Sequence, residues 1–314
     1  MLAAYANALG LPDPLDGFAV GERPAPHAPD GWEVVELRAA TLNHHDLWTL
    51  QGVVGVPFEP PVILGCDGSG VTADGREIVI YPVLGLGEQF RMLTDGIDGT
   101  FATHVAIPSG NLVAKPAHLS FEEAAGLGTA WLTAWRMLFT KGGLREGQRV
   151  LVQGATGGVA SAAIALAAAA GAHVTATSRS EEGLAYARST GAHDALLSGA
   201  RLAERVDVVV ETVGAATWSH SLRSLVHGGR VVVSGATSGA DASADLQRVF
   251  WRELQVLGSM MGTLEEMRAL CDFVTARGLR PSVSRVYEGI EAIPGAMKDL
   301  ADGRQLGKLA VRIA

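Results

Sequence analysis

Short apolar runs, each broken within a few residues by glycine, proline or aspartate, fill the first third of the chain. GWEVVELRAATLN (31–43), REIVIYPVL (76–84) and GTFATHVAIP (99–108) predict antiparallel strands and a partly open barrel. The texture changes at PAHLSFEEAAGLGTAWLTAWRMLF (116–139). Ser120 followed by Glu123 is a capping-box pattern ahead of a long apolar-periodic segment. It predicts a helix pair and a boundary near Lys115–Pro116. Strand and helix patterns then alternate. QRVLVQGATGGVASAAIALAAAAGAHVTATSRS (148–180) gives strand, Gly-rich turn, Ala-rich helix and strand. Helices are expected at 180–192, 217–229 and 263–278, and strands at 206–214, 230–236 and 254–260. Such alternation with short links predicts a parallel, doubly wound sheet. The tail, 285–313, has the pattern of a helix then a strand and is expected to return to the first domain. The expectation is an α/β chain with a β-rich domain at 1–115, a nucleotide-binding domain at 116–278 and a return segment at 279–314.

Composition narrows the class. With 314 residues, 48% hydrophobic and 18% charged, there is material for two cores. A net charge of -8 argues against nucleic-acid partners and polybasic membrane contacts. The 39 glycines are roughly twice the average share, as close backbone approaches to a cofactor require. Two cysteines, Cys66 and Cys271, cannot build a disulfide framework or a four-cysteine zinc lobe. The opening MLAAYANALGLPDPLDG lacks a basic n-region, and ASAAIALAAAAGAHV (160–174) is too short to span a bilayer. A cytoplasmic protein acting on a small molecule is expected.

The strongest local chemistry is VLVQGATGGVA (150–160). A strand there enters a glycine turn and a helix begins, so backbone N–H groups and the helix dipole face outward toward an anion. Ala155, Thr156, Gly157, Gly158 and Val159 are the candidate pyrophosphate contacts; the alternative is an ordinary tight turn. The next strand ends in Ser178-Arg179-Ser180 where an NAD binder carries an acid. Ser178 and Arg179 suit a 2′-phosphate, because guanidinium grips phosphate with paired hydrogen bonds. NADPH is therefore expected, unless Arg179 is a solvated surface charge. His44 and His45 are candidate proton donors, since imidazole titrates near neutrality. As strand neighbours, one of them would point outward. Cys66, in PVILGCDGSGV (61–71), is open to three readings: metal ligand, nucleophile or small core residue. Asp67 is expected to hold backbone or a cation, and Asp46 to anchor its loop.

These pieces in order, ATLNHHDLWTLQG (40–52), PPVILGCDGSGV (60–71), GTFATHVAIPSGNLVAKPAHLSFEEAAGLGTAWLTAW (99–135), VLVQGATGGVA, VVVSGATSG (231–239), LGSMMGTLEEM (257–267) and GKLAVRI (307–313), span nearly the whole chain. The sequence resembles the medium-chain dehydrogenase/reductase superfamily, in its zinc-free, quinone-oxidoreductase-like branch. The resemblance implies a GroES-like catalytic domain and a Rossmann domain with the active site in the cleft between them, and a homodimer. It also implies three zinc-ligand slots, occupied here by Asn43, Cys66 and Thr129. Asn and Thr are poor zinc ligands, so no metal is expected. Asn43, Thr129 and His44 become the candidate catalytic residues, with Thr129, Gly235, Ala236, Thr237 and Met260 near the nicotinamide. Val54 stands where enoyl-thioester reductases of the superfamily carry tyrosine, and Gly183 where some members carry lysine. The implied activity is NADPH-dependent hydride transfer to a quinone or α,β-unsaturated carbonyl. The alternatives are an alcohol dehydrogenase with a metal site and a low-turnover NADPH-binding protein.

Overall fold

The computed structural model describes residues 1–53, 58–85, 87–303 and 305–313. The chain separates into two compact units, Met1–Ala130 with Thr263–Ala314, and Trp131–Gly262. The second unit is thus shorter than the 116–278 segment expected. The helix Phe121–Ala125, closed by its Ser120–Glu123 capping box, packs on strands Trp32–Thr41 and Asp67–Thr72 of the first unit. The helix Leu264–Arg277 borders a pocket with strand Leu112–Ala114, also of the first unit.

The first unit is built on a seven-stranded sheet. Its order is Leu112–Ala114, Glu77–Ile80, Asp67–Thr72, Trp32–Thr41, Lys308–Arg312, Val283–Glu288, with His104–Pro108 also pairing Trp32–Thr41. Every pairing is antiparallel except that between the last two strands of this order. The tail therefore does return to the first unit, as strand, helix and strand. The register sets Thr41 opposite both Asp67 and Ala310. Directly opposed residues share a face, and so do residues two apart on one strand. Thr41, Asp67 and Lys308 are thereby delivered to one place from three distant stretches of sequence.

The second unit is a parallel sheet in the order Asp194–Leu197, His173–Ser178, Arg149–Val152, Val206–Glu211, Leu225–Val233, Gln255–Gly258. Its central strands bury Val150, Leu151, Val152, Val208, Val209, Val210, Val231 and Val232, the continuous apolar runs of strands covered on both faces. Chain order reverses between Arg149–Val152 and Val206–Glu211. In such sheets ligands bind outside the carboxyl ends of the strands at that reversal.

Candidate functional site

In the first unit a polar cluster lies inside the protein. Asp67 is 0% and Lys308 3% exposed. The Lys308 ammonium donates to Asn43 Oδ1 at 2.7 Å, the Leu42 carbonyl at 2.8 Å and Asp67 Oδ2 at 3.1 Å. Asp67 Oδ2 also accepts from Thr41 Oγ1 at 2.7 Å and Asn43 Nδ2 at 2.9 Å. Its partner oxygen, Oδ1, is buried without a hydrogen bond, and a Cβ added to Gly128 would sit 2.8 Å from it. Asn43 Nδ2 is further 3.4 Å from Cys66 Sγ and 3.5 Å from the Thr41 carbonyl. Cys66 Sγ lies 3.5 Å from Thr129 Oγ1, on the π-helical turn Leu127–Trp131. The structure thus brings Asn43, Cys66 and Thr129 together. Asp67 holds a cation, that of Lys308.

Burial, with the charges of Asp46 and Asp67 behind it, pushes the Cys66 thiol well up from its ordinary pKa. The raised pKa favours the thiol over the thiolate that a nucleophilic cysteine needs. Asp46 anchors its loop: Oδ2 accepts from the Asn43 backbone N–H at 2.8 Å and Oδ1 from that of Gly65 at 3.0 Å. Burial pushes its pKa up to about 7.

His44 and His45 open a helix, His44–Leu50, rather than lying on a strand, so the argument from alternating faces does not apply. Burial and the Lys308 charge hold the half-buried His44 imidazole below its ordinary pKa. It is neutral at pH 7, which makes it a hydrogen-bond donor or base before it is an acid. His45 Nε2 is 2.9 Å from Thr94 Oγ1 and 3.6 Å from Asp95 Oδ1, and burial lowers its pKa as well. Thr94 has φ of 77°, a left-handed backbone that costs a β-branched residue energy and clusters at functional sites. Val54 lies outside the described residues.

In the second unit the predicted nucleotide contacts gather at the carboxyl ends of the parallel strands. Gly154 has φ of 69°, and a Cβ there would meet Val213 Cγ2 at 2.8 Å, so only glycine makes this turn. The Ala155 N–H donates to the Thr177 carbonyl at 2.8 Å, and the helix Gly158–Ala169 starts after Gly157. Thr156, Gly157, Gly158 and Val159 are half-buried at that helix start. Ser178 is buried at the end of its strand and Arg179 is exposed. A Cβ at Gly183 would sit 2.0 Å from Ser178 Oγ, so a lysine there would require Ser178 to shift. Gly235 is half-buried, and Ala236 and Thr237 are exposed beyond strand Leu225–Val233. Met260 is exposed beyond Gln255–Gly258.

Beneath these loops runs a second buried network. Glu211 accepts from the Val213 and Gly214 backbone N–H groups at 2.9 and 3.0 Å, from Thr217 Oγ1 at 2.9 Å and from Ser221 Oγ at 2.5 Å. Gln153 joins it to the glycine turn, donating to Ser221 Oγ at 3.0 Å and accepting from Thr177 Oγ1 at 2.6 Å.

The sequence reading missed Lys308 and Glu211. Each is a charge at one end of an apolar strand, KLAVR and VDVVVE. That pattern was the available signal, because such a charge needs partners once buried.

A family model described as zinc-binding dehydrogenase matches residues 158–276. A zinc-type alcohol dehydrogenase-like protein of Schizosaccharomyces pombe is 31% identical over 267 residues, covering 83% of this chain and 80% of that protein. An acryloyl-coenzyme A reductase of Metallosphaera sedula is 28% identical over 93% of this chain and 96% of its own length. A crystal structure of an NAD-dependent alcohol dehydrogenase superposes with TM-score 0.93 at 34% identity, covering all of both chains. The chain belongs to the medium-chain dehydrogenase/reductase superfamily, and its fold is that superfamily's α/β pair of a GroES-like domain and a Rossmann domain. It is an oxidoreductase fold with a nicotinamide-cofactor site, and the Gly154 turn with its following helix fits a pyrophosphate.

The superfamily also raises zinc. The family match at 158–276 includes none of positions 43, 66 and 129. Zinc prefers thiolate and imidazole. Here an amide, a single cysteine sulfur and a hydroxyl stand instead, with an ammonium 2.7 Å from the amide oxygen. Among the described residues no three His, Cys, Asp or Glu side chains converge on a metal position. The donor set does not fit zinc. Among the described residues no helix is long and apolar enough to cross a membrane.

Proposed function

We propose that the protein is an NADPH-dependent reductase that passes hydride to an α,β-unsaturated carbonyl or a quinone without a metal. The observation that carries this is the Lys308 ammonium bonded to Asn43 and Asp67, in the cluster where a metal would polarise an alcohol. Alcohol oxidation without a Lewis acid or strong base is difficult, whereas a conjugated carbonyl is already electrophilic. The nicotinamide, when bound, supplies the hydride. Ala155, Thr156, Gly157, Gly158 and Val159 would hold its pyrophosphate, and Ser178 and Arg179 the 2′-phosphate. Gly235, Ala236, Thr237 and Met260 would border the nicotinamide. As hydride reaches the β-carbon, charge develops on the carbonyl oxygen. The second Asn43 amide N–H and the Thr129 hydroxyl are the donors for it, since their contacts of 3.4 Å and longer are weak enough to exchange. His44, neutral, helps orient the substrate by hydrogen bonding.

The names of relatives support the substrate class, acryloyl-coenzyme A reductase among them. A second reading, alcohol oxidation, is supported by the NAD-dependent alcohol dehydrogenase at 34% identity. A cytoplasmic homodimer completes the proposal. Strand Gln255–Gly258 ends the parallel sheet, and Phe250, Trp251, Val256 and Met260 near it in sequence are exposed, Trp251 by 76%. The test is NADPH consumption against quinones, conjugated enones and enoyl thioesters, paired with NADP⁺ reduction by alcohols. Turnover of an enone or quinone preferring NADPH over NADH supports the proposal. Alcohol oxidation alone transfers the case to the second reading, and tight NADPH binding without turnover points to a binding protein.

A further inference from the structure

We propose that Lys308 is the resident cation of this site, a positioning residue whose ammonium holds Asn43 and Asp67 where a bound metal ion would otherwise need its ligands. This deepens the metal-free reading above and rests on it. Three acceptors surround Nζ at 2.7–3.1 Å: Asn43 Oδ1, the Leu42 carbonyl and Asp67 Oδ2. An ammonium has three N–H donors, so its capacity is filled. The contact to Asn43 Oδ1 fixes which end of the amide is oxygen, and therefore turns Nδ2 toward Asp67, Cys66 and Thr41. A divalent ion drawn to Asn43 and Cys66 would meet this positive charge at close range. The superfamily's zinc label and this chain's donor set thus disagree, and Lys308 adds a fixed positive charge to that set. Asp67 Oδ1, buried without a partner, is the atom at which any competing cation would first be held.

Two measurements decide it, neither using turnover. Wild-type protein equilibrated with zinc and desalted is analysed for metal, and titrated with Co²⁺ while thiolate-to-metal absorption is followed. Sub-stoichiometric zinc and no absorption band are expected. One zinc per chain, or a cobalt–thiolate band, overturns the proposal. Lys308→Ala is then melted with and without methylammonium, beside Lys308→Met as a variant that fills the same space. The alanine variant is expected to melt about 10 °C lower and to recover dose-dependently with methylammonium. Tetramethylammonium, which lacks N–H donors, should not restore it, nor should either amine restore Lys308→Met. Equal recovery by both amines, or none by either, shows a merely space-filling lysine and overturns the proposal. If Lys308→Ala fails to fold, the wild-type metal measurement still decides. A metal-free protein that reduces no acceptor would sink the proposed function and leave this inference standing. A zinc-bound protein that reduces enones would overturn this inference and the metal-free part of the proposed function, and leave only its substrate class standing.

Discussion

Two buried carboxylates, one in each unit, are satisfied by opposite means. Asp67 concentrates three donors on one oxygen, one of them the Lys308 ammonium, and leaves the other oxygen bare. Glu211 spreads its contacts over both oxygens and, among the described residues, bonds to no cation, only to two backbone N–H groups and two hydroxyls. The difference follows from what each holds. Glu211 fixes a backbone turn, Val213–Gly214, beside the glycine turn at Gly154, and for that dipoles are enough. Asp67 fixes the side chains of Thr41, Asn43 and Lys308, and gives the ammonium a counter-charge in a place that water does not reach. A buried charge left alone costs several kcal/mol, whereas one lost hydrogen bond costs about one to three.

That contrast can be broken most forcefully at Asp67. Asp67→Asn strands the ammonium and is expected to cost about 3–5 kcal/mol in denaturant unfolding. The double variant Asp67→Asn with Lys308→Met should recover much of the loss. A single-variant loss as small as that of a surface substitution would erase the distinction between the two networks.

Asp46 sharpens the comparison, because it sits in the first unit yet, among the described residues, binds only backbone N–H groups, as Glu211 partly does. Its proton is held up to about pH 7 in the folded protein, and is released near pH 4 in the unfolded chain. Between those values the native state binds more protons, so the contribution of Asp46 to stability falls as pH rises. His44, His45 and His220, all with pKa lowered by burial, act in the opposite sense below about pH 6.5. The measurement is therefore the stability gap between wild type and Asp46→Asn, which should narrow from pH 5 to pH 8. A widening gap contradicts the assignment.

Glu211→Gln places an N–H₂ where donors already point. It is expected to cost about 1–3 kcal/mol and to weaken nucleotide binding in a fluorescence titration, without the large penalty of a stranded charge. The smallest effect is at the surface. Arg179→Ala should weaken NADPH binding about tenfold, roughly 1.4 kcal/mol, and leave NADH unchanged. Equal loss for both nucleotides would remove Arg179 from the 2′-phosphate.

Much of the second unit was legible in sequence because its chemistry is local. The strand, the turn at Gly154 and the helix at Gly158–Ala169 are contiguous, and Ser178 follows within one strand. Even there a boundary moved: residues 225–229, expected to finish a helix, belong to strand Leu225–Val233. In the first unit the three ligand slots were placed by motif, and Asn43, Cys66 and Thr129 do meet. What could not be read was Lys308, which is 241 residues from Asp67 and reaches it through antiparallel register. Register depends on which distant strands pair, and no local pattern states it. His44 and His45 were misjudged for a smaller reason. Asn43 ends the extended segment, and Asp46 accepts from the Asn43 backbone N–H to start a helix where a strand had been assumed.

The central claim is hydride transfer from NADPH at a site whose positive charge belongs to the chain. Its most direct test is NADPH oxidation by a conjugated enone or quinone before and after exhaustive chelation. Unchanged turnover, with NADPH preferred over NADH, is the predicted result. Turnover lost on chelation and restored by zinc would contradict it.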